Sequence, residues 1–271
     1  DFIYTSLMTY IVWSGVMIMI QVLLNNKYIG YFVSILVVFL WEYLLSMFDV
    51  ESNMLSIGNV PGMLYSDMNE FGPSLKGVMW FNLYWVLFSF ICLLIAGGLW
   101  NRGANSSLKA RMQIARKQMP KNYRFIIFGT VFCWVVVSGF VFYNTQVLNA
   151  YQTSGEVVQL AANYENEYKK YEDDEQPKIS DVKYFVDIFP YKRDVFVKAT
   201  MTLVNESESI IDSIHYSIDA RWEPEIKIPN SKLVLDDKEL EYRIYKLSKP
   251  MNPGDSINIE INTQYISRGF E

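Results

Sequence analysis

Hydrophobic and polar positions divide this chain into two unlike halves. Residues 2–24, 77–99 and 125–143 carry no charged side chain, and residues 28–48 carry only Glu42. A helix rises about 1.5 Å per residue, so about 20 apolar residues cross a hydrocarbon core about 30 Å thick. Each of the four runs meets that length. A helix of a soluble bundle keeps a polar face at helical spacing, whereas these runs are apolar all round. The pattern predicts an α-helical membrane domain of four transmembrane helices within residues 1–145.

Beyond them the period changes twice. Val157, Leu160, Ala161, Tyr164, Tyr168 and Tyr171 recur at the spacing of one helical face. Glu165 and Lys169 stand at the favourable i,i+4 separation. The carboxylates of Glu172, Asp173, Asp174 and Glu175 read as a solvated run, and Pro177 stops the helix. Residues 146–176 are expected to form a helical stalk carrying the chain away from the bilayer. After Pro177 an alternation of period two begins. Val182, Tyr184, Val186 and Ile188 form one apolar face, "FPYKRD" turns the chain, and Val195, Val197, Ala199, Met201 and Leu203 form the next. "NESES" turns it again before Ile214, Tyr216 and Ile218. Apolar stretches at 233–235 and 242–247 follow and, after "NPGD", so do Ile257, Ile259 and Ile261. Short strands at this spacing predict an antiparallel β-sandwich over 177–271.

Charge then gives a direction. The chain is acidic overall, with a formal net charge of -5. Yet Arg102, Lys109, Arg111, Arg116, Lys117, Lys121 and Arg124 crowd into residues 99–125 without a single Asp or Glu. Lys and Arg in short loops stay on the cytoplasmic side of a membrane, so this stretch is expected to be a cytoplasmic loop between the third and fourth spans. The turn at 25–27 falls on the same side. The loop 49–76 falls outside, and its Asp49, Glu51, Asp67 and Glu70 against Lys76 agree in polarity. The stretch "IGNVPGMLYSDMNEFGPSLKG", residues 57–77, is rich in Gly, Pro and Asn and predicts a folded extracytoplasmic cap. Residues from about 144 onward are then extracytoplasmic. Aromatic platforms are sparse between Trp100 and Tyr123, so the cations predict no nucleic-acid partner. The lipid bilayer, with its anionic headgroups, is the partner they fit. A homodimer through the spans is a further expectation.

Candidate chemistry is thin. Glu42 lies inside a span, where a carboxylate is costly unless paired, protonated or wetted. It is the candidate intramembrane functional residue, with a helix-contact or water-lined structural role as the alternative. Gly97-Gly98 and Ser138-Gly139 allow close helix approach. Cys92 and Cys133 fall within apolar runs and are expected to be buried, inert thiols rather than a disulfide. His215 is the only histidine, so this chain alone assembles no His-based zinc cluster. It stands between strand positions, as a surface side chain would. "NES" at Asn205 matches the three-residue glycosylation sequon. The opening Asp1 lacks a leader pattern and "ISRGFE" stops in mid-pattern, so both ends read as cuts in a larger protein.

Residues 177–219, "PKISDVKYFVDIFPYKRDVFVKATMTLVNESESIIDSIHYSID", resemble the opening strands of the gluzincin (membrane alanyl) aminopeptidases, and "LSKPMNPGDSINIEIN" resembles a later strand of the same amino-terminal β-domain. Preceded by spans, the stretch is similar to bacterial proteins in which a type-2 ABC exporter permease is fused to an aminopeptidase-like ectodomain. "YSDMNEFG", residues 65–72, looks like a feature of that class. The resemblance implies the bacterial cytoplasmic membrane, a separate cytoplasmic ATPase subunit docking on the inner loops, and Zn in the parent protein. The family's H-E-x-x-H zinc signature and G-x-M-E-N strand are absent from residues 1–271, and so is a phosphate-binding G-x-x-x-x-G-K-[ST] loop. No catalytic, cofactor-binding or metal residue is therefore carried over, and any zinc peptidase activity would belong to a domain beyond Glu271. The competing expectation is a membrane-anchored binding or sensory protein with a β-sandwich ectodomain and no catalysis.

Overall fold

The computed structural model describes residues 2–63, 65–68, 70–72, 74–100, 107–149, 151–222 and 224–270. The chain divides into two compact units, residues 1–153 with 268–271, and residues 154–267. Helices come first and antiparallel sheets follow.

In the first unit, α1 (Phe2–Leu24), α2 (Lys27–Met47), α3 (Ser74–Leu99), α4 (Leu108–Gln118) and α5 (Lys121–Phe142) follow in order, and α5 runs on into a π-helical turn, Tyr143–Val147. All but α4 are long and apolar enough to cross a membrane. Asn26 starts α2 by accepting from the amides of Tyr28 and Ile29 at 3.0 and 3.2 Å, the usual service of an Asn N-cap. Helix α3 is the centre of the unit. Phe81, Tyr84 and Trp85 from α3 meet Val12 from α1 and Val137 and Val141 from α5 in one buried cluster. Contact between α1 and α3 is at backbone distance, because a Cβ at Gly15 would stand 2.1 Å from Ser89 Oγ.

The glycine expectations divide. Cβ atoms at Gly97 and Gly98 would meet Tyr123 and Met119, whereas one at Gly139 would meet nothing within 4 Å. Cys92 is buried, but Cys133 is exposed. The apolar run had no polar face to decide which way it pointed. The outward surface is itself apolar: Phe32 and Phe39 of α2 and Phe125, Phe128 and Phe132 of α5 are all largely exposed. The basic stretch is not only a loop. Arg102 lies outside the described residues, but Lys109, Arg111, Arg116 and Lys117 stand on α4, capped by Ser107, whose hydroxyl accepts from the Ala110 amide.

The second unit begins with α6 (Ser154–Tyr168), which a 3-10 turn extends through Tyr171. Its strands are β1 (Lys178–Phe189), β2 (Asp194–Val204), β3 (Ile211–Ser217), β4 (Glu225–Lys227), β5 (Ser231–Asp237), β6 (Tyr242–Met251) and β7 (Ser256–Tyr265). They form two antiparallel sheets, ordered β1-β2-β7-β4 and β3-β6-β5. Leu203 and Ile259 of the first sheet and Ile211, Ile214, Tyr245, Leu247 and Met251 of the second share one core. Helix α6 folds with the sheets and is no free stalk, since Tyr168 stacks on Tyr242 of β6 at 4.2 Å between ring centroids. Periodicity marked the aromatic face of this helix but not the surface that receives it. Among the described residues Glu165 and Lys169 do not pair, whereas Lys170 and Glu167 do, at 3.4 Å.

Asn205 is fully buried, which removes the sequon as a glycan acceptor in the folded chain. Its Nδ2 donates to the carbonyls of Ser209 and Met251 at 2.8 and 3.0 Å, and its Oδ1 accepts from the amide and hydroxyl of Ser207. Its backbone bonds Gly254 and Asp255. The loop from β2 to β3 and the turn from β6 to β7 are thus tied at one side chain. Asn205→Asp turns both donors into an acceptor facing two carbonyls, and should destabilise this unit by about 3 kcal/mol. Denaturant unfolding of the full chain in detergent, followed by tyrosine circular dichroism, measures the loss.

Candidate functional site

Glu42 stands on α2 five residues before its end at Met47. The segment that follows, residues 52–60, does not stay at the helix ends. Gly58 lies against Thr9, seven residues or about 10 Å along α1. An irregular backbone among apolar helices must have its carbonyls satisfied by side chains. Three helices supply them. Thr9 Oγ1 donates to the carbonyl of Gly58 at 2.9 Å, Trp41 Nε1 to Leu55 at 2.9 Å, Tyr84 Oη to Met54 at 3.0 Å and Trp85 Nε1 to Asn59 at 2.9 Å. Asn59 Nδ2 donates to Asn53 Oδ1 within the segment at 2.8 Å. This segment forms a folded cap that takes in residues 57–60 of the stretch expected to fold, and its depth is new.

Within this cap Ser56 donates to both carboxylate oxygens of Glu42, at 3.0 and 3.3 Å. Glu42, Ser46, Asp49, Glu51, Ser56 and Asn59 line a cleft of about 260 Å³. Three of the lining residues, Glu42, Asp49 and Glu51, are acidic. Among the described residues no group of three or more His, Cys, Asp or Glu is placed to hold a metal ion. Glu42 is thus tied to the cap through a hydroxyl, and that contact links α2 to the loop that follows it.

At the other end of α1, Arg111 of α4 is only 4% exposed. Its guanidinium donates to the carbonyls of Val22 and Leu23 at 2.5 and 2.8 Å. These are the last carbonyls of α1, which have no partner within the helix and carry the negative end of its dipole. Tyr123 Oη fastens α5 to α3 at a carbonyl within the helix, donating to Leu94 at 2.6 Å. Sequence reasoning counted Arg111 among topological cations and missed its cap, because nothing in residues 99–125 names the partner. Asn82 was missed too. It is buried in α3 and its Nδ2 has no acceptor among the described residues.

His215 is not the plain surface side chain that its place in the alternation predicted. It is half-buried, with Nδ1 2.9 Å from Tyr242 Oη and Nε2 3.3 Å from Ser213 Oγ, and its ring meets Tyr171 edge to face at 4.9 Å. Burial lowers its pKa below the usual imidazole value, against the opposing pull of Asp174 and Asp212. Tyr168 Oη donates to Asp237 Oδ2 at 2.5 Å. Amide bonds from Leu240 and Glu239, together with that phenol, hold the Asp237 carboxyl below its ordinary range. Burial first, then the carboxylate, raises the Tyr168 phenol. The cluster fixes α6 on β6, and within it Ser213, His215 and Tyr242 form one hydrogen-bonded line.

Two outcomes follow. Tyr84→Phe keeps the ring and orphans the Met54 carbonyl, and should cost about 1–3 kcal/mol, read as a lower unfolding temperature of the helical unit in detergent. In the tyrosine cluster the two groups that titrate on acidification, His215 and Asp237, have depressed pKa values, so the unfolded chain binds more protons in each window. Stability of the second unit should fall in two steps on acidification, one just below pH 6.5 as His215 charges and one below pH 3.8 as Asp237 protonates. His215→Gln should remove the upper step alone in tyrosine circular dichroism melts across pH. The chain matches no family model, no curated protein and no solved structure, so its functional reading rests on this geometry and on the sequence pattern.

Proposed function

We propose that this chain is the membrane-embedded part of a bacterial exporter permease of the type-2 ABC class, joined to the amino-terminal β-sandwich of an aminopeptidase-like outer module. One observation carries the membrane reading. The two ends of the helical unit differ in charge, and the surface between them is apolar. Glu42, Asp49 and Glu51 gather around the cap. Lys109, Arg111, Arg116 and Lys117 stand on α4, whose Arg111 touches the opposite end of α1. Large apolar side chains cover the exposed faces of α2 and α5. Cations retained on the cytoplasmic side orient α4 inward, the cap outward, and the chain after α5 outward.

In this reading α4 lies at the inner surface, where a separate ATPase subunit would dock. The cap closes the outer end of the bundle. The β-sandwich is a non-catalytic positioning domain, and zinc and the peptidase general base would belong to a further domain. Fusion to a peptidase is supported by the strand pattern of residues 177–262 alone.

Orientation is tested with single cysteines in a Cys92→Ser, Cys133→Ser background. A membrane-impermeant maleimide added to intact spheroplasts should label Asp67→Cys, and should reach Lys117→Cys only after permeabilisation. The opposite pattern overturns the topology. An H-E-x-x-H motif in the coding sequence adjoining residue 271 would support the peptidase half, and a stop codon there would remove it.

A further inference from the structure

β1 ends the order β1-β2-β7-β4, so one edge of this strand has no neighbour among the described residues. The expected apolar face of Val182, Tyr184, Val186 and Ile188 exists in register, but no core covers it. Ala199, paired with Tyr184, is buried, whereas Tyr184 is 58% exposed and Ile188 64% exposed. On the opposite face Phe185 is 74% exposed. A long apolar edge of this kind is a template for another strand, and proteins usually interrupt it with a bulge, a proline or charges. Here a register shift between Ile179 and Asp181 marks one limit and Pro190 the other. Residues 182–188 between them are uninterrupted, with Lys183 and Asp187 as their charges.

Those charges select the partner. When a second β1 is laid antiparallel along this edge with Phe185 opposite itself, Lys183 faces Asp187 of the second copy and Asp187 faces its Lys183. Tyr184 then faces Val186, and Val182 faces Ile188. Every pair is opposite in charge or apolar on both sides, the combinations that stabilise antiparallel neighbours. A shift by two residues in one direction sets Asp181 against Asp187, and in the other sets Asp187 against Phe185. Within the chain neither Lys183 nor Asp187 joins an ion pair among the described residues. We propose that the free edge of β1 is a homodimer interface, in which two copies pair antiparallel through residues 182–188 about a two-fold axis at Phe185. This contact is separate from a dimer through the helices and does not depend on the transport reading.

The full chain in detergent, weighed by light scattering across a dilution series, tests it. The unaltered chain should dimerise. Lys183→Asp should raise the dimer dissociation constant by ~10-fold or more, since it sets like charges together twice, and adding Asp187→Lys to it should restore pairing. Phe185→Cys in the Cys92→Ser, Cys133→Ser background should form an intermolecular disulfide under mild oxidation, and Thr200→Cys should not. All the altered β1 side chains are exposed and leave the fold intact. A monomer at every concentration overturns the proposal, as does a dimer indifferent to Lys183→Asp, which would place the contact on the helices or elsewhere. In a monomer, slow exchange of the alternate amides of residues 182–188 that point away from β2 would show a different segment on this edge and overturn it equally.

Discussion

A backbone carbonyl among apolar side chains has to find a donor, and in the helical unit that requirement decides where the polar side chains go. Thr9, Trp41, Tyr84 and Trp85 serve the cap, Arg111 serves the end of α1, and Tyr123 serves α3. Two indoles, two phenols, a hydroxyl and a guanidinium thus act as fasteners between segments far apart in sequence. Water is a weak competitor in such surroundings, so each bond holds its loop or helix end firmly. The consequence is a fixed cap, and with it a fixed position for Ser56 against Glu42.

The same requirement explains which parts of the structure were legible in the sequence. The number and extent of the long apolar helices follow from unbroken apolar length: α1 has the expected bounds, α2, α3 and α5 differ from theirs by a few residues, and the polar α4 was not expected. The fasteners were hidden because Trp and Tyr inside an apolar run count as hydrophobic in any periodicity. Gly15 was hidden because its role is defined by Ser89 on another helix. Arg111 shows the limit clearly. Its charge was legible as a topological signal, and its partner, the carbonyl end of α1, is a tertiary fact.

In the second unit the alternation of period two located the strands, but it speaks only of which side chains share a face. It does not say whether that face is covered. Met201 and Leu203 on β2 reach the core and Ile188 on β1 does not, although all three obey the same rule. Likewise the aromatic face of α6 was legible, while its docking on Tyr242 was not. His215 follows from that docking. Its half-burial is produced by Tyr171 and Tyr242 arriving from two other elements. Asn205 carried a misleading signal, because a sequon is a local pattern and burial is set by the two crossings between sheets that this residue joins.

Both units leave apolar side chains uncovered, and the way charge is mixed into them separates two kinds of surface. On α2 and α5 the exposed aromatics continue around the helix, with Glu42 the one charge in residues 28–48 and none in 125–143, and a bilayer accepts such a surface in any rotation. On β1 the exposed apolar residues alternate with Lys183 and Asp187 at symmetric distances from Phe185. A lipid environment would leave those two charges unpaired, and a featureless apolar partner would do the same. A surface that presents an acid and a base at the same spacing in reverse order pairs both. A strand offers that arrangement to its own antiparallel copy, because reversing the direction exchanges Lys183 with Asp187.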